Sequence, residues 1–206
     1  DGTSASGRAA RTPIILTGAT GYFGAHLLKE LIENNYEKIY CIVRPKNGKT
    51  AAERLEKITE YYFGKSLLDC VEIISGDITN PQIYNKLDSV ITKNTTIINC
   101  AAIVKHFAEK KILQAVNVDA VKYLIDCCKR HDCNFVQIST LSAAVLPGKV
   151  VDEQTVCSLP SDAVPYAASK WQAEQLAFAA AANGLKLKII RLGNLAPRST
   201  DGVFQI

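Results

Sequence analysis

Ile14-Ile15-Leu16-Thr17-Gly18-Ala19-Thr20-Gly21-Tyr22-Phe23-Gly24 is the stretch that decides the fold of this chain. A short apolar run passes directly into three glycines spaced three apart, and an amphipathic stretch from Gly21 to Glu33 follows without a gap. Strand, tight turn and helix in that order open a βαβ unit. In such a turn the first two glycines permit the reversal and a close backbone approach to a pyrophosphate. The third lets helix pack on strand, and the helix N-terminus offers free N–H groups to the phosphates. A turn that merely needs glycine would look the same in isolation; the flanking strand and helix favour phosphate.

Further along, short apolar runs keep alternating with amphipathic segments. Strands are expected at Ile14–Thr17, Lys38–Val43, Val71–Ile74, Thr95–Asn99, Asn134–Ile138 and Leu187–Arg191. Helices are expected at Gly21–Glu33, Thr50–Tyr62, Pro81–Ser89, Ala108–Arg130 with a break, and Tyr166–Asn183, where Asn183-Gly184 ends the last one. The stretch from Leu141 to Pro165, with Pro147-Gly148 and Pro160, reads as loop. The fold class is therefore α/β: a Rossmann-like, doubly wound parallel sheet with helices on both faces.

Composition narrows the class. A length of 206 residues, 48% hydrophobic and 21% charged, suits one globular domain with a sizeable core. The net charge of +4 comes without any Lys/Arg block, which speaks against a nucleic-acid partner. The most apolar run, Thr95 to Val104, is interrupted by Asn99 and falls short of the roughly 18 residues of a membrane span. The seven cysteines form no C-x-x-C pair and no secretory signal precedes them, so buried thiols in a reducing cytoplasm are expected. A metal site on Cys127, Cys128 and Cys133 is the weaker reading, and no metal is expected. Residues 1–12 read as a linker or expression remnant. Residues 13–206 read as the dinucleotide-binding domain, stopping before most of a carboxyl-terminal substrate-binding part.

Tyr166 and Lys170 carry the chemistry. Four residues apart on a helix, a phenol and an ammonium share one face, so the lysine charge can favour phenolate and make the tyrosine a proton donor and acceptor. Upstream, Ser139, Thr140 and Ser142 end the fifth strand. A hydroxyl there can reach a substrate carbonyl; Thr140 is the candidate, with Ser139 and Ser142 as competitors that spacing does not separate. After the second strand stands Arg44, where an enzyme using NAD places an acid for the ribose hydroxyls. A guanidinium can instead pair with a 2′-phosphate, so NADPH is expected over NADH. Asp77 and Ile78 follow the third strand; Asp77 suits either the adenine amino group or a helix cap. Asn99-Cys100-Ala101-Ala102 brings small side chains to the end of the fourth strand, where a diphosphate and ribose can pass close to backbone.

Taken together, Thr17 to Gly24, Arg44, Gly76-Asp77-Ile78, Asn99 to Ala102, Val116-Asn117-Val118, Ser139-Thr140 and Tyr166 to Lys170 resemble an extended short-chain dehydrogenase/reductase. Within that superfamily three stretches are similar to thioester reductase domains: Ala101 to Phe107, Ser169-Lys170-Trp171-Gln172-Ala173-Glu174, and Arg191-Leu192-Gly193-Asn194-Leu195 with Pro197 to Gly202. Such domains terminate nonribosomal peptide synthetases and related carboxylate reductases. The chain departs from them at Ala196, where relatives often carry methionine; it has no methionine at all.

The resemblance implies a catalytic set of Thr140, Tyr166 and Lys170. It implies an NADPH site on Thr17, Gly18, Thr20, Gly21, Tyr22, Phe23, Gly24, Arg44, Asp77, Ile78, Asn99, Ala101, Ala102 and Lys170. Lys105, His106, Ser142 and Asn194 are candidate substrate contacts, and an exposed Lys-His loop pair is the competing reading of the first two. Asn117 is expected to brace the helix behind the site. The implied reaction is NADPH-dependent release of an acyl or peptidyl group, as aldehyde or further as alcohol, from the phosphopantetheine of a carrier protein in the same synthetase. A nucleotide-sugar epimerase or dehydratase of the same fold, and a noncatalytic NADP-binding sensor, are the alternatives.

Overall fold

A computed structural model of the protein describes residues 12–36, 38–104, 108–144, 152, 159 and 163–204. The strands are β1 (Ile14–Thr17), β2 (Ile39–Val43), β3 (Glu72–Ser75), β4 (Thr96–Asn99), β5 (Asn134–Thr140) and β6 (Lys186–Leu192). The α-helices are α1 (Tyr22–Glu33), α2 (Ala51–Phe63), α3 (Gln82–Asp88), α4 (Lys110–Leu113), α5 (Ala120–His131) and α6 (Pro165–Ala182). All strand pairs are parallel, in the order β3-β2-β1-β4-β5-β6. The order reverses between β1 and β4, which opens a crevice at the carboxyl ends of those two strands.

Alternation along each strand divides the core in two. Ile15, Ile97 and Phe135 point into a layer with α3, α5 and α6, while Ile14, Leu16, Ile98 and Ile138 point into a layer with α1 and α2. The same alternation sends Thr17, Asn99 and Gln137 to the Phe135 side, and register makes them neighbours: Thr17 is opposite Asn99 and Asn99 opposite Gln137. All three are buried. A row of polar side chains thus crosses the carboxyl end of an otherwise apolar face.

Element ends follow local chemistry. Thr50 and Glu53 form a reciprocal capping box that starts α2, and Gly64 closes it in the left-handed region at φ 67°. Pro165 stands at the start of α6, where a missing N–H costs nothing. Two expectations shift. β5 and β6 run on to Thr140 and Leu192 because each pairs with the other through those residues, a non-local contact. The break expected between Ala108 and Arg130 is a π-helical segment, Gln114–Asp119, between α4 and α5. Only Leu141–Ala143, one 3-10 turn, is described at the start of the expected Leu141–Pro165 loop, and most of the remainder lies outside the described residues.

Candidate functional site

The glycine turn forms the floor of the crevice. Gly18 has φ +72°, and a Cβ there would lie 2.7 Å from the Ala101 nitrogen and the Cys100 carbonyl carbon, so only glycine lets β1 and the segment after β4 approach this closely. Gly21 donates its N–H to the Gly18 carbonyl at 2.9 Å, which closes the turn. Gly24 packs on that same carbonyl, and any side chain there would collide with it. Helix α1 starts with no side-chain cap and no acid in its first turn, leaving its N–H groups and partial positive charge to an anion. These features fit a dinucleotide pyrophosphate.

The cleft above this floor is lined by Thr20, Arg44, Asp77, Ile78, Ala101 and Ala102 together with the glycine turn. It also has a second arginine that sequence reasoning passed over. The capping box sets the start of α2 so that Arg54, next to Glu53, donates to the Arg44 carbonyl and reaches the Thr20 hydroxyl at 3.5 Å. Arg44 in turn donates to Asp77 at 3.0 Å. Asp77 does not cap α3, whose N-cap is Pro81. One carboxylate oxygen takes the Thr79 N–H and hydroxyl at 2.9 and 2.8 Å, and the other takes Arg44. These bonds hold its carboxyl below the ordinary value although burial opposes them. An amphipathic period could not distinguish Arg54 from any solvated helix arginine; only its fold across to Thr20 does.

Thr140, Tyr166 and Lys170 come together where β5 ends and α6 begins. The Thr140 hydroxyl stands beside the Tyr166 phenol, close enough to act against the rise in its pKa, and it accepts from the Ser142 N–H at 3.3 Å. Of the three hydroxyl candidates Thr140 is the one beside the phenol. Ser139 is buried in the strand and its hydroxyl has no hydrogen-bond partner among the described residues, and Ser142 is exposed on the turn. Lys170, 3% exposed, donates to the Ile138 carbonyl at 2.6 Å. Burial pulls its pKa down to about 8. Burial also raises the Tyr166 phenol, and Thr140 beside it only partly opposes that. The expected lowering of the phenol by Lys170 is therefore not what governs Tyr166 in this geometry. A phenol protonated at neutral pH is a donor.

The polar row across the sheet leads to the same lysine. Ala101 N–H donates to Thr17 at 3.1 Å, Thr17 to Asn99 at 2.5 Å, Asn99 to Gln137 at 2.9 Å, and Gln137 to the Ile138 carbonyl at 2.8 Å. That carbonyl accepts both Gln137 and Lys170, so the cofactor cleft and the lysine are joined by one hydrogen-bonded line. Thr17 and Asn99 thus brace the cleft from beneath rather than line it. Gln137 was invisible in the sequence as one polar residue in a strand. Asn117, in the π-helical segment, bonds both backbone groups of Ile103 at 2.8 and 3.0 Å and the Ser169 hydroxyl at 2.9 Å; Ser169 donates to the Tyr166 carbonyl at 2.7 Å. It braces the helix that carries Tyr166, as expected, and extra residues per turn at functional sites commonly take this form.

Other candidates are placed elsewhere. Tyr22 turns from the cleft, donates to the Ala196 carbonyl at 3.1 Å and packs on His26, Tyr62 and Phe204. Phe23 packs against the α1 side of the core. Asn194 is exposed beyond β6, and Lys105 and His106 lie outside the described residues. Cys127, Cys128 and Cys133 are buried, and no group of three or more metal-ligating side chains is found among the described residues. No described helix is long and apolar enough to cross a membrane.

Comparison with known proteins gives the same picture from outside the chain. The NAD-binding family described as male sterility protein matches residues 16–206. An isonitrile lipopeptide synthase from Streptomyces coeruleorubidus is 29% identical over 95% of this chain, which spans 14% of that protein. A thiolation-reductase di-domain from an archaeal non-ribosomal peptide synthetase is 34% identical with a TM-score of 0.86, over 97% of this chain and 45% of that one. The terminal R domain of the myxalamid PKS-NRPS pathway is 29% identical with a TM-score of 0.78, over 93% of this chain and 51% of that one. The chain thus spans about half the length of the solved structures it matches and a smaller part of the synthase.

Proposed function

Because the chain belongs to the NAD-binding male sterility protein family, we propose that it is the cofactor-binding part of an NADPH-dependent thioester reductase. It would release an acyl or peptidyl group from a carrier protein of the same synthetase as an aldehyde. The observation that carries this reading is the meeting of Thr140 with Tyr166, and of buried Lys170 one turn on, beside a cleft that fits a dinucleotide. The relatives' thiolation-reductase and terminal reductase domains support it.

When bound in the cleft, NADPH supplies a hydride to the thioester carbonyl carbon. The Thr140 and Tyr166 hydroxyls donate to the carbonyl oxygen, and Tyr166 gives it a proton as negative charge develops there. Lys170, charged up to about pH 8, offsets the negative charge left on the phenol. The hemithioacetal then collapses: its C–S bond breaks, the carrier thiol leaves with a proton, and the aldehyde carbonyl forms. Mixing the protein with NADPH and an acyl thioester on a carrier should yield aldehyde, trapped as an oxime, together with an equivalent of free thiol. Thiol release without NADPH consumption would overturn the proposal in favour of simple hydrolysis.

Arg44 and Arg54 converge at one rim of the cleft, which suits a dianionic 2′-phosphate better than a ribose diol. The same pair speaks against the sugar-nucleotide alternative, whose cofactor calls for an acid there. Each charged hydrogen bond to phosphate is worth about 1.5–3 kcal/mol. The double substitution R44A/R54A should therefore weaken NADPH binding by about 100-fold or more and NADH binding by under about threefold, read by fluorescence titration. Equal losses for both would reject NADPH preference.

A further inference from the structure

Lys170 and Glu174 stand one turn apart on α6 and are both buried, at 3% and 1% exposure. Residues four apart on a helix share a face. Arg191 reaches Glu174 from β6 with its Nε at 3.1 and 3.2 Å and its Nη2 at 2.8 Å from the carboxylate oxygens. The carboxylate is thus flanked by two cations, Lys170 along its own helix and Arg191 from the sheet. Stability is a poor explanation for the arrangement. Desolvating two charges costs about as much as their attraction returns, and an apolar pair of similar size often holds a fold as well.

We propose that Glu174, held in place by Arg191, is the counter-charge of the Lys170 ammonium and so a positioning residue for the Tyr166–Lys170 acid–base pair. The inference builds on the reading of that pair as the catalytic one. Among the described residues the other titratable groups near Lys170 are Tyr166 on α6 and Cys100 after β4. The first is held protonated by burial, and the second is pushed up to about 12 by burial. Ile138, Gln137 and Ser139 of β5 and Asn117 of the π-helical segment carry no charge. Among the described residues Glu174 is therefore the one anion beside the ammonium, and it opposes the burial that would strip the proton from Lys170. Without it Lys170 would lose its charge within the neutral range.

Lys170 can be titrated directly, without turnover, on the full chain labelled with [ε-13C]lysine; the resonance missing from K170M identifies it. The parent midpoint should lie near pH 8. In E174Q it should fall by about 1–2 pH units, as expected for loss of an opposite charge at close range. In E174D, which keeps the charge, it should return to within a few tenths of the parent. An unmoved midpoint in E174Q, or an E174D midpoint as low as that of E174Q, would overturn the assignment. Should E174Q fail to fold, E174Q/R191M removes both buried charges together; its midpoint should also fall, and an unchanged one would again reject the proposal. Because no substrate enters this measurement, failure of the reductase assay would overturn the proposed function and leave the titration result standing.

Discussion

Tyr166→Phe should lower the rate of NADPH oxidation with a carrier-bound thioester by about 10²–10⁴-fold, the usual contribution of a positioned general acid. The substitution removes one hydroxyl from a half-buried ring that stands beside Thr140. Loss of that hydroxyl costs the fold about 1 kcal/mol, so the variant should stay folded. NADPH affinity should be unchanged, because the phenol is not among the groups that line the pyrophosphate and 2′-phosphate end of the cleft. Thr140 still offers one donor to the carbonyl oxygen, which is why residual turnover is expected. Single-turnover measurement under saturating NADPH separates chemistry from binding. A variant that reduces thioester at the parental rate would remove Tyr166 from the mechanism and with it the proposed role of Lys170.

The second large effect is on the floor of the cleft. Gly18→Ala should destabilise the protein by about 2–4 kcal/mol, combining about 1–2 kcal/mol of left-handed backbone strain with the overpacking of a methyl group against main chain. The atoms it would meet, at 2.7 Å, are the Ala101 nitrogen and the Cys100 carbonyl carbon, neither of which can rotate away. The melting temperature should drop by roughly 5–15 °C for a domain of this size, and dinucleotide affinity should fall with it, since Ala101 is part of the cleft wall. Gly48 supplies the control. It has the same φ of +72° but nothing within 4 Å of a Cβ, so Gly48→Ala carries the strain without the collision. Equal melting temperatures for the two variants would show that the close approach of β1 and the segment after β4 is not what requires glycine at position 18.

Much of the molecule was readable from periodicity and punctuation. Six parallel strands, the glycine turn and the helix bearing Tyr166 and Lys170 are where the pattern put them, because each is encoded by residues within one or two turns of each other. Arg44, Asp77 and Thr140 were also placed at the site, since each follows a strand directly and strand ends converge on one edge of a parallel sheet. What each side chain does there was less accessible. Asp77 suited both adenine and a cap; it does not cap α3, and its carboxylate is shared between Thr79 and Arg44 at the cleft. Tyr22 belongs to the glycine motif by position, yet its ring packs toward Tyr62 and Phe204, which are distant in the chain.

Local sequence by itself determined the fold class, the glycine turn between β1 and α1, and the placing of Tyr166 and Lys170 on one helix, because short-range steric and hydrogen-bonding rules set them. Tertiary structure alone decided which residues support that pair. Thr17, Asn99 and Gln137 become one line only through strand register; Arg54 reaches Thr20 of the glycine turn only through the tertiary fold; Glu174 meets Arg191 only where α6 crosses β6. The burial that moves Lys170 and Tyr166 away from their ordinary pKa values is likewise a property of the packed layers, since desolvation depends on every element around a group and not on its neighbours in sequence.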